Sequence, residues 1–125
     1  MNEALARFHE WRIDERDCRH VQYVVELIGQ RWTGAVLMAA ARGARRFTEY
    51  RTMVDGISDR LLTVRLRELE AERLMQRTVI PSTPVQIRYA LTPAGAELVA
   101  ALQPLGDWTV RHVIPAAAPA PSDDR

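Results

Sequence analysis

A mainly α-helical domain carrying one small β-hairpin is what this sequence predicts, and three observations predict it. Apolar residues recur at helical spacing along most of the chain, and Leu62, Leu66 and Leu69 fall within about 60° of one another on a helical wheel. Two runs rich in β-branched and aromatic residues, QRTVI at 76–80 and QIRYAL at 86–91, flank PSTPV, a turn containing two prolines. At 125 residues and 47% hydrophobic, the chain has material for one core and too little for two.

The elements follow in order. Ala4, Leu5, Phe8 and Trp11 share one side of a first helix, an arm over 1–17 whose two aromatics need a surface to lie on. A second helix is expected over 21–28, closed by Gly29, and a third over 33–42, closed by Gly43. The third, TGAVLMAAAR, is almost wholly apolar and should be the most buried element. A short fourth helix covers 47–54, Asp55-Gly56-Ile57 interrupts the pattern, and Ser58 is a good N-cap for a fifth. In the hairpin, symmetry about the tip would set Arg77 opposite Arg88, where like charges repel unless an anion sits nearby. Thr92-Pro93 opens the last helix, whose stripe runs through Leu98, Ala101, Leu102, Leu105 and Trp108. Pro104 within it predicts a kink or two shorter helices. The organisation expected is an arm over 1–17, a core over 18–92, a dimerisation helix over 93–114 and a disordered tail, PAAAPAPSDDR, over 115–125.

Two helices joined by a tight glycine-containing turn make the helix-turn-helix, and a hairpin directly after the second helix makes a wing. The fold class is therefore a winged helix-turn-helix, with surplus apolar stripes on the terminal helices (Leu5, Phe8 and Trp11; Leu98, Leu102, Leu105 and Trp108) available to build a dimer. Within ISDRLLTVRLRELEAERL at 57–74, Arg60, Thr63 and Arg67 lie far from the leucine stripe, on a ridge of groups able to donate hydrogen bonds. Ser58 opens this helix, and Arg65 lies on another side, where its loss is expected to matter little.

Charge agrees with this placement only locally. The net charge is +1, yet between Arg42 and Arg88 there are ten basic and six acidic residues. All seventeen basic residues are arginine, which base-composition bias in the source genome explains without appeal to guanidinium chemistry.

Taken in one order, LIGQRW at 27–32, RRFTEYR at 45–51, GISDRLLTVRLRELEAERL at 56–74 and YALTPAG at 89–95, with Trp108 closing the last helix, resemble the HxlR-type winged helix-turn-helix transcriptional regulators, relatives of the MarR group. The resemblance implies a homodimer whose recognition helices enter successive major grooves of a pseudo-palindromic operator, with Ser58, Arg60, Thr63 and Arg67 at the family's DNA-binding positions. Arg45, Arg46 and Arg51 beside the first helix of the motif, and Arg77 and Arg88 in the wing, are candidate phosphate contacts. Three positions depart from the family pattern. Arg73 stands where glycine is common after the recognition helix, Arg88 where an acid is common in the wing, and Tyr50 where leucine is usual.

Cys18 lies in ERDCRH, and it matches the cysteine near the start of the family core that is reactive in redox-sensing members. Positive neighbours in sequence favour the thiolate, so an oxidant or electrophile switch stands beside the alternative of a half-buried inert cysteine. Trp11, Tyr23, Trp32 and Trp108 either line a pocket for a small-molecule effector or belong to the core and dimer interface. His9, His20 and His112 are scattered without metal-ligand spacing, and no cofactor loop or catalytic constellation is evident, so neither metal, cofactor nor enzyme activity is expected. No long uncharged apolar run or leader pattern is present, so the expectation is a cytoplasmic protein without a membrane partner. The expected partners are double-stranded DNA and a second copy of the chain. A winged helix that binds protein and has lost DNA is the competing function, which acidic residues on the ridge would favour.

Overall fold

In a computed structural model the chain is described over residues 3–10 and 14–113. It divides into two compact units, Met1–Gln30 and Arg31–Arg125.

The first unit holds α1 (Glu3–Glu10) and α2 (Glu15–Ile28). Trp11 lies outside the described residues, as do the side chain of Phe8 and the tail over 115–125; Leu5 is exposed. The sequence pattern starts the second helix at Val21, but α2 begins six residues earlier. Asp14 is its N-cap, accepting a hydrogen bond from the Asp17 N–H at 2.8 Å, and Glu15 and Asp17 lie where carboxylates complement the helix dipole. This first stretch is polar all round, so hydrophobic periodicity does not register it.

The second unit is built on α3 (Thr33–Ala41), which buries Thr33, Val36, Leu37, Ala39 and Ala40 and is, as expected, the core helix. Gly43 follows it at φ 109°, a left-handed conformation open to glycine at no steric cost. Helix α4 (Phe47–Met53) is short and held at its start by Glu49, whose Oε1 accepts from the N–H groups of Arg45 and Arg46 at 2.8 and 2.9 Å. Its Tyr50 is fully buried and donates to the Tyr89 carbonyl at 2.8 Å, so it ties α4 to the wing as well as filling space. The turn to α5 (Asp59–Ala71) is made by Gly56 at φ 94°. Ser58 then caps α5, its Oγ accepting from the Leu61 N–H at 3.1 Å. Leu62, Leu66 and Leu69 are buried, as their spacing predicts, and Leu61, off that stripe, is buried too.

Helix α5 ends in a Schellman motif: the Leu74 N–H reaches the Leu69 carbonyl and the Arg73 N–H the Glu70 carbonyl, both at 2.9 Å. Arg73 occupies the left-handed position, φ 61°, that the motif normally gives to glycine, so the chain keeps the turn and strains a non-glycine residue.

Strands β1 (Met75–Ile80) and β2 (Gln86–Leu91) form the antiparallel wing. The register corrects one expectation. Arg77 faces Tyr89 and Arg88 faces Thr78. The connection over 81–85 is odd in length and centred on Thr83, so Ile80 pairs with Gln86 and the two arginines fall on opposite faces of the hairpin. A further bridge joins Arg46 to Arg88, with the Tyr89 N–H bonded to the Arg45 carbonyl at 2.8 Å.

Helix α6 (Pro93–His112) is capped by Thr92, whose Oγ1 accepts from the Gly95 N–H at 3.0 Å and donates to the Arg73 carbonyl at 2.7 Å. Gly95 is required there, because a Cβ would collide with the Leu74 carbonyl. The helix continues through Pro104 as one element instead of breaking into two; the proline forfeits its own bond to the Ala100 carbonyl. Among the described residues no helix is long and apolar enough to cross a membrane.

Candidate nucleic-acid interface

Helices α4 and α5 and the turn between them form the helix-turn-helix. Its turn rests on Trp32, a buried residue whose ring would lie 3.5 Å from a Cβ placed on Gly56. With the leucines of α5 turned inward, Arg60 and Arg67 are exposed and Ser58 and Thr63 half-exposed, so the ridge drawn on the helical wheel exists as a surface. The guanidiniums of Arg60 and Arg67 have no hydrogen-bond or ion-pair partner among the described residues, which leaves their donors available. The hydroxyls differ. Thr63 Oγ1 donates to the Asp59 carbonyl at 2.9 Å and so offers an outside group only an acceptor, whereas Ser58 keeps its proton to donate.

Arg65 is not the bystander its wheel position suggests. Its side chain is 12% exposed, its Nε donates to the Arg31 carbonyl at 2.7 Å, and its guanidinium pairs with Glu68 at 2.7 Å. It fastens α5 to the segment leading into α3. Nothing in local periodicity marks this contact, because its partner is a backbone carbonyl 34 residues away.

The flanking arginines divide by role. Arg45 donates to the carbonyls of Ala40 and Ala44 at 3.0 and 2.7 Å, closing the C-terminal end of α3. Arg51 pairs with Asp59 at 3.2 Å across the motif, both side chains being largely exposed. Arg46 and Arg77 are exposed with no side-chain partner among the described residues, and Arg88 touches only Gln86 Oε1, at 3.3 Å. Glu49, unremarked in the sequence although it sits at the N3 position of its helix, has its carboxyl held below the usual range first by the Arg46 N–H, then by that of Arg45, with the charges of Arg46 and Arg88 adding. Burial pushes the Tyr50 phenol up to about 12.

Cys18 is exposed on α2, not half-buried. Residues one helical turn away are Asp14, Glu15, Val21 and Gln22, so the helix sets carboxylates along its ridge and carries Arg16, Arg19 and His20 around to other sides. Among the described residues there is no cluster of His, Cys, Asp and Glu able to hold a metal ion.

A short helix, a glycine turn, a helix with an outward basic ridge and a hairpin wing define a winged helix-turn-helix protein. The chain belongs to the HxlR-like helix-turn-helix family, which it matches over residues 27–116. It is 34% identical over 98 residues to the uncharacterised HTH-type transcriptional regulator YvaP of Bacillus subtilis, covering 78% of this chain and 91% of that one. The reduced form of the transcriptional regulator YodB from B. subtilis shares its structure with a TM-score of 0.70 and 31% identity, covering 83% of this chain and 98% of the other. The redox regulator HypR in its reduced form gives a TM-score of 0.68 and 32% identity, covering 73% and 90%. YodB structures also include diamide-treated and quinone-bound forms, and HypR an oxidised form.

Proposed function

We propose that this protein is a cytoplasmic transcriptional regulator that binds a pseudo-palindromic duplex as a homodimer, without enzymatic activity of its own. The observation that carries the reading is the α5 ridge, where two exposed guanidiniums, Arg60 and Arg67, face away from a buried leucine stripe on the second helix of a helix-turn-helix. An acidic ridge would favour a protein-binding module; this one is cationic. The wing contributes Arg77 and Arg88, and Arg46 lies beside it, as sequence-independent contacts to phosphate. Arg45 and Arg51 serve the fold first, through the carbonyls of α3 and through Asp59. Selecting bound fragments from genomic DNA tests the reading: a recurrent two-fold-related sequence is the expected result, and enrichment of none would overturn it.

The signal we assign is oxidation or electrophile addition at Cys18. Its exposure permits reaction, and the diamide-treated and quinone-bound forms of the related YodB support this class of effector. Diamide should change the affinity of the wild-type protein for a selected fragment and leave Cys18→Ser unaffected. An equal response in Cys18→Ser would remove the thiol from the mechanism.

A further inference from the structure

We propose that the notch between the α3–α4 connection and β2 is a phosphate-binding site, in which Arg46 and Arg88 grip the phosphoryl oxygens. Gly43, Arg45, Arg46, Glu49 and Arg88 line a cavity of about 360 Å³ there. Arg46 and Arg88 are bridge partners, and the bond flanking them runs between their neighbours, from the Tyr89 N–H to the Arg45 carbonyl. They therefore form the non-hydrogen-bonded kind of antiparallel pair, in which side chains approach most closely. Two cations so placed destabilise the sheet unless something negative lies between them.

The notch's own carboxylate, which feels the charges of both Arg46 and Arg88, fills that need only in part. Glu49 Oε1 is occupied by the N–H groups of Arg45 and Arg46, and one carboxylate against three guanidiniums leaves an excess of two positive charges. The Arg45 guanidinium is committed to the Ala40 and Ala44 carbonyls. Arg46 has no side-chain partner among the described residues and Arg88 only the long contact to Gln86, so two planar forks remain to meet a tetrahedral anion. Gly43 adds no side chain to the rim, with open space where its Cβ would stand.

The phosphate is either a free ion or a diester of the DNA backbone, and for the second source the inference rests on the DNA-binding reading above. Full-length protein is melted in sodium phosphate and in sodium chloride of matched ionic strength. In parallel, affinity for a mixed-sequence duplex is measured against salt. Phosphate should raise the wild-type midpoint above chloride, and R88Q and R46Q should each lose that increment while unfolding cooperatively. R88E, which sets an opposite charge against Arg46, should melt no lower than wild type in chloride and be indifferent to phosphate. If the source is DNA, R88Q makes the slope of log K against log salt shallower by roughly one unit for each copy bound. A rise over chloride that R88Q and R46Q both lose, with an unchanged slope, identifies the free ion, and a shallower slope identifies the diester; either supports the site. A rise that both variants keep is the general stabilisation by excluded phosphate, and that result, or no rise at all, together with an unchanged slope overturns the site. A wild-type protein that binds no duplex would sink the DNA reading instead, and the melting comparison alone would then decide the notch.

Discussion

Arg73 holds a left-handed backbone at the end of α5 with both Schellman bonds formed, so its Cβ is the one part of the turn at odds with the geometry. Arg73→Gly should therefore raise stability by about 1 kcal/mol, the usual order of the left-handed penalty, less whatever the greater freedom of the unfolded chain takes back. A denaturant midpoint moved downward would show that the arginine side chain contributes more than its backbone costs. Tyr50 gives the residue scale a pH dependence. Its phenol is raised from 10.0 to about 12 by burial. A group raised on folding contributes stability that is complete below its unfolded value and is lost as pH climbs through the folded one, so the chain should weaken between about pH 10 and about pH 12. Tyr50→Phe should remove that alkaline component and cost about 1 kcal/mol at neutral pH, since the Tyr89 carbonyl loses its donor. Melting curves across that window check both parts; an unchanged alkaline loss in the variant would assign it to another group.

At the scale of elements, what was legible in the sequence was whatever periodicity or a capping residue announces. The leucines at 62, 66 and 69, the Ser58 cap, the Gly56 turn and the limits of β2 stand where the pattern puts them. The first turns of α2 lack an apolar stripe and so escaped a pattern-based reading, whereas folding PSTPV back about Thr83 gives the observed register, one residue away from the expected Arg77–Arg88 pair. Of the candidate site, the ridge was legible because residues three and four apart share a helix face. The Arg65 clamp and the Arg46–Arg88 bridge were not, because each joins segments distant in sequence. The ridge itself divides along the helix. Arg60 lies near the N-terminal end of α5, the end that meets base edges in this motif, and Arg67 two turns further on. Arg60→Ala should cost roughly 1 to 3 kcal/mol per operator half-site and relax preference at one symmetric pair of positions. Arg67→Ala should weaken all sequences alike, with a salt slope shallower by roughly one unit per subunit. Arg65→Ala cannot serve as a neutral control. It strips the Arg31 carbonyl of a donor and Glu68 of its partner, and should lower the melting temperature before it touches specificity. Loss of specificity in Arg65→Ala at full stability, with Arg60→Ala silent, would mean that α5 docks through a different face.

For the whole molecule, the last prediction concerns what covers α6. Leu105 and Trp108, one turn apart on α6, are 58% and 49% exposed, and Met38, Val99, Leu102 and Gly106 line an apolar groove of about 330 Å³ along the same helix. Apolar residues are exposed singly on any protein, but a row of them on one long helix is a surface that water penalises unless a partner covers it. In the homodimer reading that partner is the α6 face of a second copy, and a two-fold axis there supplies the symmetry that a pseudo-palindrome requires. Leu105→Asp sets a charge on this face without touching the core, because the side chain already stands in solvent within its own subunit. The variant should unfold at a temperature independent of protein concentration and scatter light with a monomer's mass, where wild type scatters as a dimer. Its DNA affinity should fall with it. One subunit brings one recognition helix and one set of phosphate contacts, so the salt slope of the residual binding should drop to roughly half. A dimeric mass retained on dilution would move the interface elsewhere on the chain. A monomeric mass with the full slope would show that two copies already meet the duplex without α6 holding them together, and the symmetry of the site would then come from the DNA alone.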